Sequence, residues 1–120
     1  GNPLTPGLSG GISWMGSLGG LAGASAVGWL GYWLADFTLL NTLVVVACGW
    51  LGMLLDSFFG STIQAKYAAT NGRITEDKNA VKGRQPIRGW QWVTNDVVNL
   101  ASNLVIIITL LLLAAISRML

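Results

Sequence analysis

Three stretches without a charged side chain dictate what this chain can become. Gly1 to Ala35 carries none, Phe37 to Leu55 carries none, and Val97 to Ser117 is the third. Each meets or nearly meets the ~20 residues needed to cross a hydrocarbon core of ~30 Å. Charged residues make up 10% of the 120 and hydrophobic ones 52%, whereas a soluble domain carries ~25% charge. The pattern specifies an all-α fold, a polytopic transmembrane helical bundle with three spans in this chain that forms part of a larger bundle. It excludes a soluble enzyme and a free nucleic-acid-binding domain, so membrane lipids, not nucleic acid, are the expected surroundings.

Of seven basic residues, six (Lys66, Arg73, Lys78, Lys82, Arg84 and Arg88) fall between the second and third apolar runs, accompanied by Glu76 and Asp77. The positive-inside rule puts that segment on the cytoplasmic side or its organellar equivalent, with the Ala35-Asp36-Phe37 connection and the C-terminus opposite and Arg118 as an interfacial anchor. Cys48, the one cysteine, reads as a small packing residue. With no histidine and one cysteine, zinc sites built on those residues and His-assisted nucleophiles are excluded. Gly1 in place of an initiator Met, with no basic n-region behind it, is compatible with a chain that begins partway through a longer protein.

Residues 1–13 read as a Gly/Pro-rich approach loop. A first transmembrane helix is expected over 14–34, with Gly16/Gly20 and Gly19/Gly23 as small-xxx-small pairs for close helix packing, and Trp29, Tyr32 and Trp33 as an aromatic belt. A second is expected over 38–63, ending in WLGMLLDSFFGSTIQ, where Asp56, Gly60 and Gln64 recur at i, i+4, i+8 on one helical face. The basic segment, 64–93, is a hydrophilic loop punctuated by Asn71-Gly72, Gly83, Pro86 and Gly89, with Trp90 and Trp92 at re-entry. The third helix, 95–118, opens behind Thr94 as cap and aligns Asp96, Asn99 and Asn103 on one stripe.

Antiparallel second and third helices bring Asp56 and Asp96 to similar depth. Two carboxylates with Gln64, Asn99 and Asn103 form an all-oxygen environment suited to Mg²⁺, which is bound by one or two carboxylates plus substrate phosphates and water. The plainer readings are that Asp56 pairs with a loop cation and that the amides are interhelical glue worth ~0.6 kcal/mol each. Lys82, Arg84 or Arg88 are candidate phosphate contacts, and otherwise the positive charge any such topology needs. GLSGGISWMGSLGG divides between helix packing and a backbone N–H cradle for phosphate, and no Walker loop is present.

Read together, TPGLSGGISWMGSLGGLAGA (Thr5 to Ala24), GWLGMLLDSFFGSTIQ (Gly49 to Gln64) and WVTNDVVNLASN (Trp92 to Asn103) resemble, in order and spacing, three motifs of a family of integral membrane proteins. That family, formerly of unknown function, includes plant phytyl-phosphate kinase and vertebrate transmembrane protein 19. The resemblance covers essentially the whole chain and about the C-terminal half of a typical member. It implies phosphoryl transfer from CTP or another nucleoside triphosphate to an isoprenyl monophosphate such as phytyl phosphate, on the way to tocopherol and related lipids, with Mg²⁺ as cofactor. Carried onto matched positions, it implies Asp56 and Asp96 as metal-linked carboxylates, Asn95 and Asn99 as amides orienting phosphate or metal-bound water, and Gln64 in support. Ser57, Gly10 and Gly11 match the motifs and count as substrate-side candidates. The remaining helices would come from the same protein or a partner subunit. The membrane would be plasma or thylakoid-type in a bacterium and the chloroplast envelope in a plant. The competing expectations are a non-catalytic membrane subunit of a larger complex and a transporter of ions or lipid phosphates along the Asp and Asn residues.

Overall fold

The computed structural model describes residues 8–69, 72–81, 83 and 85–117. Asn71, Lys82, Arg84, Arg118 and the first seven residues of the approach loop lie outside them. Among the described residues the chain forms three α-helices, α1 (Trp14–Leu34), α2 (Leu39–Thr62) and α3 (Asn95–Ser117). Between α2 and α3 lie two short strands, β1 (Tyr67–Ala68) and β2 (Ile74–Thr75), and a 3₁₀ turn over Asn79–Val81. The chain resolves into two compact units, one built on Ile12–Leu55 and the chain from Ser102 onward, the other on Asp56–Ala101 with the residues up to Gly11.

In the first unit the helices begin where a side chain accepts an otherwise orphaned N–H. Ser13 Oγ accepts from Gly16 N at 3.0 Å and Thr38 Oγ1 from Asn41 N at 3.2 Å, each satisfying a first-turn donor. The C-terminus of α1 is closed by Ala35 N and Phe37 N, both donating to Gly31 O, with Asp36 between them in the left-handed region at φ 52, a conformation Asp tolerates better than most side chains. α1 packs antiparallel on α2 through a stripe of small residues. A Cβ on Gly28 would meet Val46 Cγ2 at 2.7 Å and Thr42 O at 3.1 Å, a Cβ on Gly49 would meet Ala24 at 3.0 Å, and one on Gly20 would collide with the Met53 sulfur. Trp50 Nε1 adds a hydrogen bond to Ser17 O at 3.1 Å. The stripe is therefore Gly20, Ala24 and Gly28 at i, i+4, i+8, whereas the expected pair Gly19/Gly23 faces open space. α2 meets α3 near Gly52 and Ile106, beside an apolar cavity of about 330 Å³ that Cys48 and Asn103 help to line.

α2 and α3 are long and apolar enough to cross a membrane, over Leu39–Thr62 and Asn95–Ile116. α1, 21 residues long and uncharged, falls short of the same hydropathy because six glycines dilute it. The expectation of three spans is thus met by two helices on length and composition. Most large apolar side chains of α1 and α3 are exposed, from Trp14 to Ile116, while those of α2 divide between exposed and half-buried, as befits helices with a surface meant for hydrocarbon.

The second unit departs from the expected hydrophilic loop. Its core is Ala65, Tyr67 and Val81, and Tyr67 is only 1% exposed. β1 and β2 pair antiparallel with Tyr67 opposite Thr75 and Ala68 opposite Ile74, closed by Ala69 N donating to Arg73 O and Gly72 N to Ala69 O. Segment 63–66 is then laced to 87–93. Trp90 N donates to Ile63 O, Ala65 N to Val93 O, Lys66 N to Arg88 O and Ile87 N to Lys66 O, at 2.8–3.1 Å. The lacing requires Gly89, whose φ is +74 and where a Cβ would strike the Gln64 carbonyl. Gln64, expected on the helical face of Asp56, instead lies past the end of α2, pairing with Trp90, because its backbone is claimed by this ladder.

Candidate functional site

The ladder joins the end of α2 to the start of α3, and the side chains it carries enclose a cavity of about 210 Å³. Gln64, Glu76, Lys78, Thr94, Asn95 and Asp96 supply its polar wall, over an apolar floor that includes Tyr67 and Val93. Thr94 precedes α3, with its hydroxyl 3.5 Å from Val97 N and its carbonyl accepting from Val98 N at 3.1 Å. Asn95 and Asp96 thus stand in the first turn of α3, where a carboxylate also benefits from the helix dipole.

Glu76 is the polar hub. Oε1 accepts from Ser9 N at 2.6 Å, and Oε2 accepts from Ser9 Oγ at 2.7 Å and from Gln64 Nε2 at 2.9 Å. On the other side of Ser9, Lys66 Nζ donates to Ser9 O at 3.0 Å, although Lys66 is only 4% exposed. Gln64 is 2% exposed, and its Oε1 is buried without a hydrogen-bond partner among the described residues. Turning the amide over would put two acceptors, Oε1 and the Glu76 carboxylate, face to face, so the hydrogen bond to Glu76 holds Oε1 where it is. A Cβ on Gly60 would lie 3.3 Å from that oxygen. Gly10, at φ +90, lies so close to α2 that a Cβ there would overlap Ser61, which accounts for this glycine by close approach and backbone conformation.

The structure therefore gathers Asp96, Asn95 and Gln64 of the expected site residues around one cavity. Asp56, Ser57, Asn99, Gly10, Gly11 and Arg88 do not line it. Asp56 and Ser57 are half-buried in the last turns of α2, Asn99 is exposed on α3, and Arg88 is exposed on the ladder. Lys82 and Arg84 lie outside the described residues. Sequence reasoning missed Ser9, Lys66, Glu76 and Lys78. The available signal was that Glu76 and Asp77 are the only acids in an otherwise basic segment. Among the side chains lining the cavity, the Glu76 and Asp96 carboxylates and the Thr94 hydroxyl are oxygen donors of the kind a hard cation such as Mg²⁺ takes. No three His, Cys, Asp or Glu side chains gather among the described residues, so any ion here would take most of its shell from water and phosphate.

Apolar helices joined through small residues, and a folded polar segment between two helices able to span a bilayer, define a helical integral membrane protein. The chain belongs to the family described as Integral membrane protein DUF92, whose profile matches residues 1–107. No curated protein and no solved structure matches the chain.

Proposed function

We propose that the chain serves phosphoryl transfer from CTP or another nucleoside triphosphate to an isoprenyl monophosphate, as the kinase itself or as the C-terminal half of one. The observation that carries this reading is the cavity where Asp96, Asn95 and Gln64, drawn from two of the three family-like motifs, meet. The phosphate oxygen of the prenyl monophosphate would attack the γ-phosphorus, the bond to the nucleoside diphosphate would break, and a prenyl diphosphate would leave. Little covalent chemistry is asked of the protein, which must position the two phosphates and neutralise their charge. Asp96 would hold Mg²⁺ from the cavity wall, and the ion would supply charge neutralisation to the phosphate oxygens; Asp56, which does not line the cavity, is proposed as a second carboxylate from the motif resemblance. Asn95 and Asn99 would orient phosphate or metal-bound water, and Lys78, on the cavity wall, would face phosphate. In this reading α1 is a third span, supported by its 21 uncharged residues, and its open Gly19 and Gly23 are where further helices of the same protein or a partner subunit would pack.

The test is an assay of the complete, detergent-purified protein with phytyl phosphate, Mg²⁺ and each nucleoside triphosphate, with Asp56→Asn and Asp96→Asn alongside. Phytyl diphosphate that disappears in both variants, with the helices still folded, is the expected result. No product from folded protein across several prenyl phosphates would overturn the kinase reading and favour a non-catalytic subunit.

A further inference from the structure

The antiparallel pairing of β1 with β2 sets Tyr67 opposite Thr75. Lys66 immediately precedes β1 and Glu76 immediately follows β2, so the open end of the hairpin presents one cation and one anion side by side. Both reach the same residue. Every polar group of Ser9 is occupied: its N–H and hydroxyl donate to Glu76, and its carbonyl accepts from Lys66. The two charges thus meet different backbone groups of Ser9, the anion its N–H and the cation its carbonyl.

We infer that Lys66 and Glu76 form a two-pronged clamp of positioning residues that holds the Ser9-Gly10 turn onto the end of α2 and, through Gln64 Nε2, aims Gln64 Oε1. The inference rests on the proposed function and deepens it by naming the residues that shape that site from behind. The polarity of the clamp is imposed by the backbone: an anion must face the Ser9 N–H and a cation must face its carbonyl. This separates the clamp from a simple ion pair, which tolerates exchange of its partners. Replacing Glu76 with glutamine leaves one acceptor oxygen and one NH₂ group facing three donors, so the present set of hydrogen bonds cannot be kept unchanged. It also lets the Gln64 amide turn over. Hydrogen bonds to charged groups are among those most costly to remove.

The test uses the full chain in detergent, with Glu76→Gln, Lys66→Met, the exchange Lys66→Glu/Glu76→Lys, and the mild variant Ser9→Ala. Hydrogen–deuterium exchange followed by mass spectrometry reads peptides spanning residues 8–12, and kinetics reads KM for phytyl phosphate separately from kcat. Glu76→Gln should speed exchange at Ser9 and Gly10 about tenfold or more while exchange in the middle of α2 is unchanged, and should raise KM about tenfold. Ser9→Ala should do the same more weakly, and the exchanged pair should not restore either reading. Unchanged exchange at residues 8–12 in both Glu76→Gln and Ser9→Ala would overturn the clamp. So would recovery in the exchanged pair, while a freed turn with KM unaltered would overturn its role in positioning the site. Absence of turnover in the unmodified protein would instead overturn the kinase reading, and the exchange measurements would still decide whether the clamp exists.

Discussion

The two units of this molecule solve the same problem, satisfying a polar backbone away from bulk water, by opposite means. The helical unit satisfies its peptide groups within each helix, apart from the first-turn caps Ser13 and Thr38, and small residues such as Gly20, Ala24 and Gly28 do its packing. The polar unit has little regular structure beyond the helix ends, two-residue strands and a 3₁₀ turn. It must satisfy its backbone across segments, from Ile63 to Trp90 and from Ala65 to Val93, and it recruits charged side chains, Glu76 and Lys66, for groups the ladder leaves over. The lesson is that substitution should be felt locally and forgivingly on the helices and cooperatively in the polar unit.

The largest expected effect tests that cooperativity. Tyr67→Ala removes a side chain that is 1% exposed at the centre of a core of three residues, and large aromatic truncations cost about 3–5 kcal/mol. Hydrogen exchange should show residues 63–69 and 85–93 opening together. If only the Tyr67 neighbourhood opens, the polar unit is not cooperative and the contrast fails. Next comes Gly89→Ala, which imposes a Cβ on a residue at φ +74 against the Gln64 carbonyl. Strain of that kind costs about 1–3 kcal/mol before the collision is added, and limited proteolysis should find residues 83–93 newly cleavable.

On the helical side, Gly28→Ala drives a methyl to 2.7 Å from Val46 Cγ2. Overpacking of this sort costs about 1–3 kcal/mol, and the melting temperature in detergent should fall. The smallest effect sharpens the contrast by its sign. Gly19→Ala adds a methyl into open space and relieves a helix of a residue that costs about 0.5–1 kcal/mol relative to alanine. The isolated chain should therefore melt at a slightly higher temperature. A drop would mean that this face of α1 is already packed against another helix.

The helices were legible because their determinants are local: uncharged runs of the right length, Thr94 as the cap of α3, and aromatic residues near the ends. The glycine stripe was legible only in kind. Spacing offered Gly16/Gly20 and Gly19/Gly23 alike, and which face meets α2 depends on helix rotation, set by Met53, Thr42 and Val46. The segment from Ala65 to Trp92 read as a loop because its strands are two residues long and its ladder joins residues about 20 to 30 apart, beyond the reach of any periodicity. Gln64 was misplaced for a related reason, since extending the i, i+4, i+8 pattern to it assumes a helix that continues that far, whereas α2 stops at Thr62.

What the sequence determined by itself is a membrane protein of apolar helices with its charge concentrated in one connection, because transfer of residues to hydrocarbon is close to additive along the chain. Tertiary structure decided which polar residues meet. Asp96, Asn95 and Gln64 share a cavity wall with Glu76 and Lys78, and Ser9 is gripped by two residues 57 and 67 positions away. A hydrogen bond depends on distance and direction in space, and sequence carries neither until the ladder and the hairpin have set the register.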